Sequence, residues 1–256
     1  MTANFADSAG VRIAYESSGS GPVLLLMQGI GYARWSWDPI VPALAERFRV
    51  LSFDNRGIGE SDVPQGPYTA AEMAGDAVQV LDEAGVARAH VVGTSLGGVI
   101  AQELALEYPE RVRKLVLACT TPGGTRAYPM PQPTVDLMLA RASLREFTEN
   151  ALAPADRPDL VERILVHRER TAQGFEAWSA QAAAGAGFDA SGRLGGLAAP
   201  TLIQHGDGDL VVDPRNGELL VELIPDARLS VYEGGGHLFF WQEPDRFVRE
   251  LEEFLT

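Results

Sequence analysis

The sequence has a single cysteine and a deficit of positive charge. Cys119 excludes an internal disulfide framework, and it ends an apolar run, which favours a buried thiol over a nucleophile. Acidic residues outnumber basic ones by 35 to 21, and the formal net charge of −14 argues against a nucleic-acid surface or an anionic membrane as a partner. The chain also lacks an apolar run of membrane-spanning length and the N-terminal pattern of a secretory signal. We therefore expect a cytoplasmic protein that binds neither nucleic acid nor membrane.

The length of 256 residues suits one large α/β domain with a sizeable core. Apolar runs of strand length alternate with segments of helical spacing, which predicts a mostly parallel, doubly wound sheet of about eight strands with helices on both faces. The clear strands are predicted at 11–16, 22–27, 49–53, 89–92, 114–118, 200–204 and 228–232, with the opening pair as an antiparallel hairpin or edge. The helices between them are predicted at 37–48, 71–84, 96–108 and 214–223.

The alternation breaks after residue 122, and about 75 residues pass before the next clear strand, which is too long for a simple loop. Within this interval, helices are predicted at 135–142, 143–151, 160–172 and 175–184. We expect residues 123–196 to be a helical lid, inserted between the two parts of the core, 1–122 and 197–256. Ligands bind outside the carboxyl ends of strands in α/β sheets, where such a lid would lie. The alternative is a structural excursion with no role in substrate choice.

The segment Gly93-Thr94-Ser95-Leu96-Gly97 lies between the apolar run His90-Val91-Val92 and a segment of helical spacing that begins at Leu96. This order indicates a strand, a sharp turn, a serine and a helix. Glycines two residues on either side of Ser95 leave room for the turn, and the following helix would direct N–H groups towards an acyl oxyanion. The pentapeptide alone is weak evidence, because such patterns recur by chance.

A serine hydroxyl is almost never ionised at neutral pH, so a nucleophilic serine needs a base to accept its proton. His237 is the candidate base because it follows a predicted strand and stands on the glycine-rich loop 234–236. The other three histidines are expected to pack or to form local hydrogen bonds: His90, His167 and His205.

The base needs an acid that holds its tautomer and offsets its charge. Three aspartates compete for this role after the strand at 200–204: Asp207, Asp209 and Asp213. Together with His205 they could also suggest a metal site, but no second histidine cluster completes one, so no metal is expected.

Serine, then acid, then histidine is the chain order of the α/β-hydrolase triad, and the chain resembles α/β-hydrolases over essentially its whole length. The other segments that carry this resemblance are Val23–Met27 with Gln28–Gly31, Phe53–Ser61, and His237–Trp241 with Glu243-Pro244. These motifs are specific for the superfamily but not for any one reaction within it.

The resemblance implies roles for further residues. In this superfamily the acid typically lies three residues after the glycine that ends its strand, which here is Gly206, and this selects Asp209. Asp207 is then a turn former and Asp213 a helix N-cap. The oxyanion donors would be two backbone N–H groups, those of Ile30 and Leu96.

Gln28 departs from the commoner family pattern, which has a histidine there that supports the oxyanion loop and is not the catalytic base. The shape of this loop is therefore open. Neighbouring aromatic residues could form an apolar substrate pocket or pack in the core, with equal weight: Tyr32, Trp35, Trp37, Phe175, Trp178 and Phe239. Neither Gly57-Ile58-Gly59 nor Gly97-Gly98 completes a dinucleotide-binding loop.

The sequence therefore predicts a cofactor-independent serine hydrolase that cleaves a small-molecule ester or lactone through an acyl-enzyme. Enol-lactone hydrolases and simple carboxylesterases are most similar in layout, whereas epoxide hydrolases and haloalkane dehalogenases have aspartate at the position of Ser95. A cofactor-free peroxidase or perhydrolase, and a carbon–carbon bond hydrolase, remain open on the same triad. A non-catalytic binding protein with this fold is the alternative from another class.

Overall fold

The computed structural model describes residues 3–155 and 157–256. Within them lie eight strands: β1 Asn4–Ser8, β2 Val11–Ser18, β3 Val23–Met27, β4 Arg49–Phe53, β5 Ala89–Thr94, β6 Val112–Ala118, β7 Thr201–Gly206 and β8 Ala227–Tyr232. They form one sheet in the order β1-β2-β4-β3-β5-β6-β7-β8. Only the pairs β1–β2 and β2–β4 are antiparallel, and every other neighbouring pair in this sheet is parallel. The predicted α/β fold is confirmed.

Each of the seven predicted runs is a strand, but the expected pairing of the first two is wrong. Strand β2 pairs with β1, which was not among the predicted runs, and β3 lies within the parallel part of the sheet. The short sequence of β1 has only two buried residues and hence no apolar run to reveal it. Ala9 and Gly10 both have positive φ, which suits the tight two-residue turn of a β1–β2 hairpin.

The helices of the described residues surround this sheet: α1 Val41–Leu44, α2 Ala70–Glu83, α3 Leu96–Glu107, α4 Gln132–Ala140, α5 Leu144–Leu152, α6 Pro158–Arg170, α7 Phe175–Ala186, α8 Arg215–Leu223, α9 Phe239–Gln242 and α10 Pro244–Leu255. The predicted helix at 37–48 is mostly absent, since only a 3₁₀ turn, Arg34–Trp37, and the short α1 form there. Pro39 and Pro42 explain this, because each removes an N–H donor. Helices α4 to α7 lie between β6 and β7, inside the segment predicted to be a lid.

The core lies on both faces of the sheet, because successive strand side chains point to opposite sides. On β3, Leu25 packs in one apolar cluster with residues of α2, α3 and α8. Its neighbours Leu24 and Leu26 pack in the other cluster, with residues of α1 and α10. Burial on both faces explains why the parallel strands are nearly continuous apolar runs.

The longest described helix, α2, has 14 residues. A membrane-spanning helix needs about 20 predominantly apolar residues. None of the helices within the described ranges is long and apolar enough to cross a bilayer. A cytoplasmic location stays a prediction.

Candidate active site

Ser95 stands at the turn between β5 and α3, as the sequence predicts. Its φ of 53° and ψ of −119° lie outside the regions that side-chain-bearing residues normally adopt, which costs about 1–3 kcal/mol. Its backbone is held on both sides, because its N–H donates to Ala118 O at 3.0 Å and its carbonyl oxygen accepts from Thr120 Oγ1 at 2.7 Å. The strained turn therefore keeps Ser95 in one position.

Glycines are needed around Ser95 because the backbone is crowded there. A Cβ on Gly93 would clash with the carbonyl group of Gly97, and a Cβ on Gly97 would clash with the carbonyl group of Met27. A Cβ on Gly29 would lie 2.9 Å from Cβ of Ser95. Small residues thus let the end of β3 and the loop after it approach the serine.

Asp209 and His237 form a buried hydrogen-bonded pair at the carboxyl ends of β7 and β8. Nδ1 of His237 lies 2.8 Å from Oδ2 of Asp209. The other carboxylate oxygen accepts from the N–H groups of Val211 at 2.7 Å and Val212 at 3.0 Å, which fixes the carboxylate. Because an ionised carboxylate only accepts, Nδ1 carries the hydrogen, and Nε2 of His237 is left as the proton acceptor.

Burial alone would raise the pKa of Asp209, since it disfavours the charged form. The charge of His237 and the hydrogen bonds from His205 and His237 outweigh burial, so the pKa lies well below its usual range. Asp209 is therefore ionised at neutral pH and can stabilise a positive charge on His237.

His205 also contacts this carboxylate. Its Nε2 lies 3.1 Å from Oδ2 of Asp209 and 3.1 Å from the carbonyl oxygen of Val212. Its buried Nδ1 has no hydrogen-bond partner within residues 3–155 and 157–256. The expected local hydrogen bonding is present, but its involvement with the candidate acid was missed. No sequence signal indicated this contact, because residues 205–209 leave a strand and are not helical.

The other two candidate acids lie away from His237. Asp207 is exposed, and its Oδ1 accepts from the N–H of Gly234 at 2.6 Å. Asp213 Oδ1 accepts from the N–H of Arg215 at 3.0 Å. Its expected N-cap role is wrong by one residue, because α8 begins at Arg215 with Pro214 as its N-cap. Over residues 3–155 and 157–256, no three His, Cys, Asp or Glu side chains are grouped so that they could hold a metal ion.

Ser95 and His237 line the same cavity, of about 280 Å³. The hydrogen bonds of these two described residues do not include one between the serine hydroxyl and the imidazole ring. Such bonds are often long in unliganded enzymes and shorten when substrate binds. The structure thus brings serine, histidine and aspartate to one edge of the sheet. The histidine and the aspartate are hydrogen-bonded, whereas the serine hydroxyl and the histidine ring are not.

The two expected oxyanion donors lie beside Ser95 and are available. Leu96 begins α3, and Ile30 lines the cavity with Ser95. Among the described residues, neither backbone N–H donates a hydrogen bond. A negatively charged oxygen near Ser95 could therefore accept from both.

Gln28 fixes the loop that carries Ile30. Its Oε1 accepts from the N–H of Gly29 at 2.8 Å and from the hydroxyl of Thr94 at 2.8 Å. Asn55 Nδ2 donates to its carbonyl oxygen at 2.8 Å. The glutamine therefore ties the loop to β5, which is the supporting role expected of the more usual histidine.

A second cavity, of about 400 Å³, adjoins the first at Ser95. We call the first the histidine cavity and the second the helix cavity, because Val99 of α3 lines it. Trp178, one of the predicted pocket residues, lines both, and Tyr32 lines the histidine cavity. Ser95 thus has space on two sides, as cleavage of a bond between two substrate fragments requires.

Four of the aromatic candidates line neither cavity: Trp35, Trp37, Phe175 and Phe239. Trp35 instead stacks on His167 with ring centroids 4.9 Å apart. Phe239 is fully buried against Tyr232 in the core, and the next residue, Phe240, lines the histidine cavity. The predicted pocket roles of Trp35 and Phe239 are thus corrected, since periodicity does not tell which face of a short helix meets a cavity.

Arg168 of α6 also lines the histidine cavity, and no sequence motif indicated this. Its Nη1 donates to Thr148 Oγ1 at 3.1 Å, and its guanidinium carbon lies 4.8 Å from the ring centroid of Tyr32. Its Nε is buried and has no hydrogen-bond partner among the residues that the structure describes. A positive charge therefore borders the cavity that Ser95 lines.

Comparison with known proteins places this geometry in a family. A family model described as "alpha/beta hydrolase fold" matches residues 22–244. The chain is 34% identical to a protein of Azorhizobium caulinodans provisionally named carbamate hydrolase RutD. The alignment of 260 residues covers 98% of this chain and 97% of the relative. The chain is also 32% identical to 2-hydroxy-6-oxo-6-phenylhexa-2,4-dienoate hydrolase of Comamonas testosteroni. That alignment of 273 residues covers 97% of this chain and 93% of the relative. The crystal structure of the enol-lactonase from Burkholderia xenovorans covers 99% of this chain and 100% of its own, with a TM-score of 0.87 and 26% identity.

Proposed function

Because the chain belongs to the α/β-hydrolase fold family and its relatives are hydrolases, we propose that it is a serine hydrolase of carboxylic esters or lactones. The observation that carries the proposal is the buried hydrogen bond of 2.8 Å between His237 and Asp209, at the edge of the cavity that Ser95 lines. A histidine oriented by an ionised aspartate is the base that a serine nucleophile requires.

In the proposed reaction, Ser95 Oγ attacks the carbonyl carbon and its proton passes to Nε2 of His237. Asp209 stabilises the resulting imidazolium, and the N–H groups of Ile30 and Leu96 hold the oxyanion. His237 then gives the proton to the departing alkoxide, which leaves an acyl-enzyme. Water attacks this ester with His237 again as base, and the free acid and the serine hydroxyl are restored. These reaction steps need no cofactor.

The proposed substrate is a small molecule, because the two cavities at Ser95 have volumes of about 280 and 400 Å³. We propose that residues 123–196 act as the lid over a core of residues 1–122 and 197–256. Met138 of α4 and Trp178 of α7 support this, since both line both cavities. Substrate choice would then depend on helices outside the catalytic framework.

A second candidate is hydrolysis of a carbon–carbon bond in a diketone-like substrate. The relative from Comamonas testosteroni, whose name specifies a dienoate substrate, favours it at 32% identity over 97% of this chain. Both reactions would use the same serine, histidine and aspartate, so the substrate distinguishes them.

The proposal is tested with short-chain p-nitrophenyl esters, a panel of lactones, a 2-hydroxy-6-oxo-dienoate and a fluorophosphonate probe. We expect steady turnover of esters or lactones and a probe adduct on Ser95. Ser95→Ala removes both, whereas Ser20→Ala, at an exposed position, retains both. Turnover of the dienoate alone would favour the second candidate. Tight binding without turnover in the unaltered protein would favour a binding protein and would refute the enzyme.

A further inference from the structure

Arg168 is a partly buried cation for which the described part of the chain supplies no anion. Its recorded hydrogen bond goes to the neutral hydroxyl of Thr148. The ion pairs among residues 3–155 and 157–256 do not include it. Burying an unpaired charge is costly, so such a residue is expected to have a partner when the protein works.

Two other arginines with little exposure show that this chain does pair such cations. Arg56 forms a two-pronged contact with Asp76, in which Nε and Nη2 each donate at 2.7 Å. Arg34 contacts Asp54 and Glu16. With 35 acidic residues in the chain, carboxylates are not scarce. Arg168 is thus an exception that calls for a separate explanation.

The guanidinium edge formed by Nε and Nη2 is open in Arg168, and the same edge of Arg56 binds the carboxylate of Asp76. Thr148 occupies Nη1, while Nε is buried without a partner and Nη2 has no recorded hydrogen bond among the described residues. Nε and Nη2 form one planar edge with two parallel N–H groups, which matches the two oxygens of a carboxylate. Thr148 itself is fully buried and donates to Leu144 O at 2.7 Å, so it holds the guanidinium in place.

Gln28 supplies a second unpaired donor at the same cavity. The N–H of Gly29 donates to Oε1, so the orientation of the side-chain amide is fixed. Its Nε2 is buried and has no acceptor among the described residues. Two buried donors at one cavity, both without acceptors among the described residues, indicate a ligand that carries oxygen atoms.

The remainder of the histidine cavity is largely apolar, with Leu144, Phe147 and Leu238 among its lining residues. One arginine matches a single negative charge, and the apolar lining matches a hydrocarbon remainder. Arg168 also lies close to the oxyanion loop, since a Cβ on Gly31 would be 3.3 Å from its Nη2. A carboxylate held there would belong to the same molecule as a carbonyl group at Ser95.

We propose that Arg168 binds a carboxylate of the substrate, with Gln28 Nε2 as an additional donor, so that the enzyme selects esters or lactones bearing a free carboxylate. This inference rests on the proposed serine hydrolase and defines its substrate class. Arg168 is then a specificity-determining residue, and Thr148 is a positioning residue that orients it.

The test compares two esters of similar length, the mono-p-nitrophenyl ester of glutaric acid and p-nitrophenyl pentanoate. We expect the unaltered enzyme to have a higher kcat/KM for the anionic ester. In Arg168→Gln, the ratio of the two kcat/KM values should fall by about 30-fold or more, chiefly through KM. Arg168→Lys keeps the charge but loses the planar edge. Its ratio of the two kcat/KM values should lie between those of the unaltered enzyme and Arg168→Gln. Arg163→Gln, at an exposed arginine of the same helix, should retain the ratio.

A binding measurement separates this inference from the proposed reaction. In the Ser95→Ala background, glutarate should raise Tm, and the added Arg168→Gln substitution should abolish the rise while the added Arg163→Gln does not. Turnover without anionic preference, or equal ratios in Arg168→Gln and Arg163→Gln, would overturn the carboxylate site and leave the serine hydrolase intact. If no ester or lactone is turned over, an Arg168-dependent rise in Tm supports the carboxylate site. A rise that is absent or independent of Arg168 overturns it.

Discussion

Nε2 of His205 lies 3.1 Å from Oδ2 of Asp209, the same oxygen that accepts from His237 at 2.8 Å. The carbonyl oxygen of Val212 lies equally close to Nε2, and since both neighbours are acceptors, Nε2 carries the hydrogen. One carboxylate oxygen thus accepts from two imidazole rings. His205 shares the negative charge that would otherwise act on His237 alone.

Removing the donor at residue 205 should weaken catalysis. We expect His205→Leu to lower kcat/KM by about 10-fold, because the Asp209 carboxylate then loses one of the hydrogen bonds that hold it in place. His205→Gln, which keeps an N–H near the original position, should remain closer to the unaltered enzyme. Equal kcat/KM values for the two variants, measured on one ester, would contradict this role.

Asp209 and Asp207 provide a matched pair for the acid. Asp209→Asn should lower kcat/KM by about 10³- to 10⁴-fold, because a neutral amide cannot stabilise the imidazolium and favours the wrong tautomer. Asp207→Asn should change kcat/KM by less than about threefold, since that carboxylate is exposed and contacts Gly234. Steady-state kinetics on one ester decide the matter, and comparable losses would show that Asp209 is not the acid.

Two glycines should respond in opposite directions to the same substitution. Gly97→Ala should lower the free energy of unfolding by about 1–3 kcal/mol, because its Cβ would clash with the carbonyl group of Met27. Gly75→Ala should raise it by about 0.5–1 kcal/mol, because it lies inside α2 with open space around its Cβ. Urea denaturation measures both, and a neutral Gly97→Ala would mean that the turn tolerates a larger separation from β3.

Stability should depend on pH through His90. Burial, with further contributions from Lys114, Arg113 and Arg88, lowers its pKa from 6.5 to about 4. Between these values the unfolded chain binds a proton that the folded chain does not, so the free energy of unfolding falls as the pH drops from 6.5 to 4.

His90→Leu removes this titration. The loss of unfolding free energy between pH 7 and pH 5 should be smaller in the variant by about 1–2 kcal/mol. Urea denaturation at the two pH values measures it, with the unaltered protein as reference. Equal losses in the two proteins would exclude His90 as the cause.

The parallel strands were predictable because both of their faces are buried and their sequences are continuously apolar. Strand β1 was not, since only Ala6 and Ser8 are buried there and its place depends on pairing with β2. The triad order could be predicted from the resemblance. The contact of His205 with Asp209 could not, since it depends on how the chain folds after β7.

Pocket residues were the least predictable part. Trp178 lines both cavities but Trp35 lines neither, although both are aromatic residues near predicted functional segments. Arg168 was not singled out, because an arginine on a polar helix is usually solvated. Only the packing of α6 against the oxyanion loop brings its guanidinium to the cavity.

The sequence by itself determined the turn at Ser95, because Gly93 satisfies a steric demand that acts within a few residues, against the carbonyl group of Gly97. It also determined the alternation of strands and helices, because burial on two faces requires continuous apolar runs. Only the tertiary structure decided that Asp209 contacts two histidines and that Arg168 has no acidic partner in the described part of the chain. These relationships join side chains that are far apart in the chain or on separate loops, and their distances depend on the packing of every element between them.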